Sequence, residues 1–317
     1  THLRERAADA FGRVVVHLVD DFRAAQDAPH DAPAGFGPFI DWVTGAGRER
    51  LFTDHAHALA ATRAALAASV RALREMLDRV EDDRVALAAL TRGSDRARLS
   101  SLRVGAGDTH GSGRVVTVLE FDDGARAVYK PRSLAGDSAF VAVLQWVGRE
   151  TGITLPSVRT LDRGGYGYAE FIDRIGDLPR TRARSYLRDV GSLLAILQAL
   201  RANDMHFENI VMGPEGPVVI DGETLLTPVA RHLPDYADGA ASGIAGRTIS
   251  QSVLGIGILP TVIGGANDDP GLDIGVLGFR GGQLSPFRSV VIRDAHSLDV
   301  HTVLARTEVS GDAPADT

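Results

Sequence analysis

The stretch DMHFENIVMGPEGPVVIDGE, residues 204–223, decides how the chain reads. Two short β-prone runs, Ile210-Val211 and Val218 to Ile220, flank the turn residues Pro214, Glu215 and Gly216, which predicts a tight hairpin. Asp204, His206, Glu208 and Asn209 stand before the hairpin, and Asp221 and Glu223 close it. A base, an amide oxygen and several carboxylates are thus gathered in one unit. Taken singly, each is also an ordinary loop residue, because Asp and Asn side chains bond their own local backbone.

Upstream, Tyr186, Leu187, Val190, Leu193, Leu194, Leu197 and Leu200 recur at helical spacing and predict a long amphipathic helix ending near Asn203. Earlier still, RVVTVLEF (residues 114–121) and ARAVYK (residues 125–130) are joined by Asp122, Asp123 and Gly124, the signature of an antiparallel hairpin. Pro131 ends the second strand because it has no N–H for the ladder. A helix over Phe140–Val147 and a strand over Tyr166–Ile172 follow. Residues 1 to about 95 read as helical: from Leu59 to Val80 the apolar positions recur at threes and fours, with alanine between them. Asp27 to Gly37 is a Pro/Gly/Asp-rich break in that segment. A β-rich region followed by a helical one is an α+β layout.

Lys130 is the only lysine among the 34 Lys and Arg residues. An arginine-favouring genome explains why lysine is rare. That one persists at a strand end points to a need for a compact charge on a flexible stem, which arginine does not supply. A strand lysine, a helix leading into a loop with Asp204 and then Asn209, a hairpin, and Asp221 at its close follow the order of phosphoryl-transfer enzymes of the protein-kinase type. In that order Lys130 pairs with ATP phosphates. Asn209 and Asp221 offer hard oxygen ligands suited to Mg²⁺. Asp204 accepts or orients the proton of an attacking hydroxyl. The glycine-rich run GAGDTHGSG, residues 105–113, permits close backbone approach to phosphate. It is neither a Walker A loop nor the usual kinase glycine loop, since Asp108 and His110 interrupt it. An acid and an imidazole beside phosphate suit proton transfer; the alternative is a turn that its polar residues merely cap.

The chain of 317 residues is long enough for one or two domains. Its net charge of -7 argues against nucleic acid as the main partner. There is no cysteine, which excludes disulfides and thiolate metal sites. No apolar run reaches the roughly 18–20 residues needed to span a bilayer, and the N-terminus lacks a signal-peptide layout; both favour the cytoplasm. The pair His55 and His57 does not share a helix face and reads as solvated. Neither G-x-S-x-G nor H-E-x-x-H occurs, so hydrolase motifs are missing.

The strings GDTHGSGRVV, YKPRSL, YGYAEFI, DMHFENIVMGPEGPVVIDGETL and SVLGIGILP occur in this order, and in them the chain resembles the dehydratase domain of class II lanthipeptide synthetases. The resemblance runs from about Arg103 to Gly278. It implies an elaborated protein/lipid-kinase-like fold: a helical segment over 1–95, then a core over 96–317 with a β-rich N-lobe to about 180 and a partial helical C-lobe. It implies ATP- and Mg²⁺-dependent phosphorylation of Ser and Thr in a precursor peptide bound through a leader segment, then phosphate elimination. By the same resemblance Lys130, Asn209 and Asp221 are nucleotide and metal residues, and Asp204, His206, Glu223, Asp108 and His110 are catalytic. Members continue into a zinc-dependent cyclase with Cys and His ligands; here that part is expected to be separate or missing. Members also use a later Arg and Thr for elimination, and Arg306 and Thr307 are not assigned to that role. Two other readings stay open: a kinase-like phosphotransferase without elimination, and a non-catalytic binding module.

Overall fold

The computed structural model describes residues 2–26, 36–110, 113–175, 178–226, 241–265, 270–295 and 297–309. The chain divides into two compact units. The first comprises residues 1–82, 107–116 and 287–307, and the second comprises 83–106, 117–286 and 308–317.

In the first unit α1 (His2–Gln26), α2 (Phe36–Thr44), α3 (Arg48–Thr53) and α4 (Ala56–Asp82) follow one another. Of the predicted break, Asp27 to Gly37, residues 27–35 lie outside the described residues, while Phe36 and Gly37 already belong to α2. One face of α1, with Val16, Leu18, Val19 and Phe22, packs with Phe39 of α2 and with Leu298 and Val300. Phe22 meets Phe39 edge-on with ring centroids 5.9 Å apart, a favoured aromatic geometry.

The second unit opens with α5 (Arg84–Thr91), which leads into β1 (Leu99–His110), β2 (Arg114–Phe121) and β3 (Arg126–Lys130); residues 107–116 of β1 and β2 belong to the first unit. The helix α6 (Ala135–Thr151) then separates these from β4 (Thr160–Asp162) and β5 (Gly167–Glu170). The sheet order is β1-β2-β3-β5-β4, and β2–β3, β3–β5 and β4–β5 are antiparallel. The expected hairpin pairs Thr117 with Tyr129 and Glu120 with Arg126. Residues 105–110, expected in a glycine-rich turn, instead continue β1. That strand lies at the sheet edge, where glycine interrupts a ladder at least cost.

Beyond the sheet come α7 (Arg180–Ala199), β6 (Ile210–Met212), β7 (Pro217–Val219) and α8 (Ala241–Ser250), then a short 3-10 turn at Val253–Ile256. β8 (Val262–Ile263) pairs with β9 (Leu272–Asp273); β10 (Gln283–Arg293) pairs with β11 (His301–Val309), and most of this pair, residues 287–307, belongs to the first unit. The helix α7 turns Tyr186, Val190, Leu193 and Leu197 inward, while Leu187 on the opposite face is exposed. That inward row packs with Phe140 and Leu144 of α6, Met205, Ile210 of β6, and Ile256 and Ile258. The result is an α+β fold with antiparallel sheets. No described helix is long and apolar enough to cross a membrane.

Leu197 is fully buried at the centre of this core. Leu197→Ala removes its packing and leaves a cavity, so unfolding free energy should drop by about 2–5 kcal/mol in a urea titration.

Candidate functional site

Lys130 is the last residue of β3 and lies opposite Gly167 of β5. A Cβ on Gly167 would stand 2.6 Å from the carbonyl oxygen of Leu161, so only glycine fits beside the lysine there. Lys130 is 5% exposed. A buried ammonium must be paired to persist. Its Nζ donates to the carbonyl of Ile220 at 2.6 Å and lies 3.3 Å from Asp221 Oδ2 and 3.8 Å from Asp137 Oδ1.

Asp137 belongs to the first turn of α6, where the helix dipole favours a carboxylate. It is itself 5% exposed. Its Oδ1 also accepts the backbone N–H of Gly222 at 3.3 Å, and its Oδ2 accepts Arg132 Nη1 at 2.7 Å. Arg132 further engages Asp221 Oδ1 through Nη2 and Glu223 Oε2 through Nε, the latter at 3.1 Å. Burial disfavours the guanidinium charge. The hydrogen bond to Asp137 and the fields of Asp221, Asp137 and Glu223 more than offset this, so its pKa lies above the ordinary arginine value. Three carboxylates face two cations, and the cluster keeps an excess of negative charge.

The loop after α7 forms a second group. Met205 and Phe207 are buried, and their N–H groups donate to the carbonyls of Ile256 (2.7 Å) and Ile274 (3.2 Å). Asp204 sits between them and α7 at φ 59°, a left-handed conformation uncommon outside glycine. His206 Nδ1 accepts the backbone N–H of Glu208 at 3.2 Å. In its neutral form that places the ring proton on Nε2, 3.3 Å from Asp204 Oδ1. Asn209 Nδ2 donates to the carbonyl of Asp204 at 2.7 Å, which fixes the amide and leaves Oδ1 as its acceptor face. Gly257, at φ 100°, passes so close that a Cβ would stand 3.1 Å from the Met205 carbonyl carbon.

The two groups are joined by main chain. Ile220 N donates to Asn209 O at 2.9 Å, beside the β6–β7 ladder, and Asn203 N donates to Thr224 O at 3.3 Å. Lys130, Asp221 and Glu223 therefore share one cluster, Asp204, His206 and Asn209 share the other, and the hairpin holds them side by side. Asp108 and His110 stand at the end of β1, and their side chains lie outside the described residues. Arg132 and Asp137 were not picked out from sequence. They lie two and seven positions after the lone lysine, but their contacts are tertiary and carry no local signal.

No group of three or more His, Cys, Asp or Glu among the described residues is arranged to hold a metal unaided. Asn209 Oδ1 and the Asp221 carboxylate are hard oxygen donors. A donor pair of this kind fits Mg²⁺, which keeps most of its waters or takes phosphate oxygens instead.

The turn after Lys130 is pinned by Asp162, whose Oδ1 accepts the N–H of Leu134 at 2.9 Å and of Gly164 at 3.1 Å. The bond from Leu134, followed by weaker ones, holds its pKa below the ordinary 3.8. A depressed carboxylate pKa gives stability that is complete above the unfolded value and lost as pH falls through the folded one. Asp162→Asn should therefore flatten the loss of thermal stability below pH ~4, measured as melting temperature against pH.

Among relatives, the chain is 30% identical over 177 residues to the lacticin 481/lactococcin biosynthesis protein LcnDR2 of Lactococcus lactis subsp. lactis. That match takes in 53% of this chain and 19% of the relative, so the chain spans about a fifth of the protein it resembles. A family profile described as a domain of unknown function, DUF4135, matches residues 58–315, which include all but the first two residues of α4, the sheet and both groups of the site. The chain belongs to the DUF4135 family.

Proposed function

We infer that the chain carries a kinase-like dehydratase active site that acts on Ser and Thr of a lanthipeptide precursor with ATP and Mg²⁺. The observation that carries this reading is the buried Lys130 ammonium, 3.3 Å from Asp221 and bonded to the carbonyl of Ile220, whose own N–H reaches the loop of Asp204 and Asn209. The likeness to a lacticin 481/lactococcin biosynthesis protein supports the substrate class.

In this reading Lys130 turns toward the phosphates of ATP as a point charge. Asn209 and Asp221 would hold Mg²⁺, whose charge would neutralise that of the phosphates. Asp204, oriented by the Nε2–H of His206, receives or directs the proton of the substrate hydroxyl as its oxygen attacks the γ-phosphorus and ADP departs. In the second step the Cα proton of the phosphorylated residue is removed, the Cβ–O bond breaks, and phosphate leaves with the bonding pair. His206, Glu223, Asp108 and His110 are the acids and bases assigned to that step. The net change is loss of one water per modified residue. The leader segment of the precursor and a cyclase acting after this site complete the proposal.

The test is mass spectrometry of a precursor peptide, drawn from a neighbouring Ser/Thr/Cys-rich reading frame, after incubation with the chain, ATP and MgCl₂. Loss of water is expected, and Lys130→Ala should lower its rate roughly 100-fold or more. A stable phosphopeptide without water loss would instead identify a phosphotransferase. Absence of any ATP-dependent change would leave only a binding module.

A further inference from the structure

Three nitrogens of one guanidinium end on three different carboxylates. Arg132 Nη1 lies 2.7 Å from Asp137 Oδ2, Nη2 holds Asp221 Oδ1, and Nε lies 3.1 Å from Glu223 Oε2. Nη1 also donates to the carbonyl of Ser133 at 2.9 Å. Asp221 Oδ1 receives a second donor, the backbone N–H of Glu223, at 3.2 Å. Oδ1 is thus saturated by donors anchored in the fold, whereas Oδ2 faces the flexible Lys130 at 3.3 Å. The side chain of Arg132 is only 17% exposed and Asp137 is buried, so that arm of the fork is shielded from solvent screening, while the Glu223 arm lies at the exposed edge. Pro131 stands between the two cations and fixes their offset at the end of β3. A lysine at position 132 has one nitrogen and cannot span the three acceptors.

We propose that Arg132 is a positioning residue for divalent-cation binding: it clamps Asp221 by Oδ1 and so aims Oδ2 at the cation that accompanies the nucleotide. The same fork ties that carboxylate to Glu223 and to the start of α6. The role rests on the ATP-and-Mg²⁺ reading above and adds to it a residue outside the metal's own ligands. It makes cation affinity, rather than nucleotide affinity, the quantity that Arg132 governs.

The experiment is calorimetric binding of ATP to the full chain at stepped MgCl₂ concentrations, and again in EDTA, for the parent, Arg132→Lys and Arg132→Gln. The expected result is a roughly 10–100-fold rise in the Mg²⁺ concentration giving half-maximal ATP binding, as for other residues that orient a metal ligand. ATP affinity in EDTA should stay at the parent value. An unchanged Mg²⁺ requirement in a folded variant overturns the proposal. So does an equal loss of ATP affinity with and without Mg²⁺, which would mean that the guanidinium acts on the nucleotide or on the fold at large. If neither variant folds, Glu223→Gln removes one arm of the clamp at its most exposed partner. It should raise the Mg²⁺ requirement in the same direction, and no change there overturns the proposal as well. A parent chain that binds no ATP at any MgCl₂ concentration sinks the functional reading itself, an outcome distinct from a parent that binds and variants that match it.

Discussion

The end of β3, the first turn of α6 and the turn after β7 are held together by the need to neutralise one buried ammonium. Removing Lys130 from water costs several kcal/mol unless carboxylates and carbonyls replace its hydration. Asp137, Asp221 and the Ile220 carbonyl come from two elements distant in sequence and supply that replacement. Their convergence constrains the path of everything between them. The sheet must deliver position 130 to the mouth of α6, and β7 must end where Asp221 can turn back.

Behind this cluster the sheet is tied by aromatic packing. Tyr129, Tyr166 and Tyr168 meet edge-on or tilted with ring centroids 5.7–6.1 Å apart, and Tyr166 donates to Asp83 Oδ2 at 2.9 Å. Burial, followed by the field of Asp83, pushes the Tyr168 phenol well above its ordinary range, so it stays neutral beside the lysine strand. The strand that ends in Lys130 thus also carries a neutral aromatic group.

Much of the second unit was legible because its signals are local. The β2–β3 hairpin followed from Asp-Gly between two β-prone runs, α7 from a 3.6-residue period, and β6–β7 from Pro-Glu-Gly between apolar pairs. What escaped is tertiary. The β10–β11 pair has no tight-turn signature, because seven residues separate its strands, and the first half of β1 carries too weak an alternation to stand out. Arg132 and Asp137 fall beside a recognised motif, yet nothing in local spacing says that one arginine will meet carboxylates from both α6 and the β7 turn. Lys130, Asp204, His206, Asn209, Asp221 and Glu223 were readable as residue types in order. Their partition into a cation–carboxylate cluster and a backbone-anchored loop was not.

In the loop from 204 to 208 buried and exposed positions alternate, although Asp204 is left-handed and residues 207–209 form a turn. Met205 and Phe207 are drawn inward by bonds to Ile256 and Ile274, and Asp204, His206 and Glu208 face the other way. Its chemistry is thus written in parity. Length is consequently more tightly constrained here than composition. A single-residue insertion between Asp204 and Phe207 would break the match between the two inward bonds and the two buried side chains, with every side chain still present in the sequence.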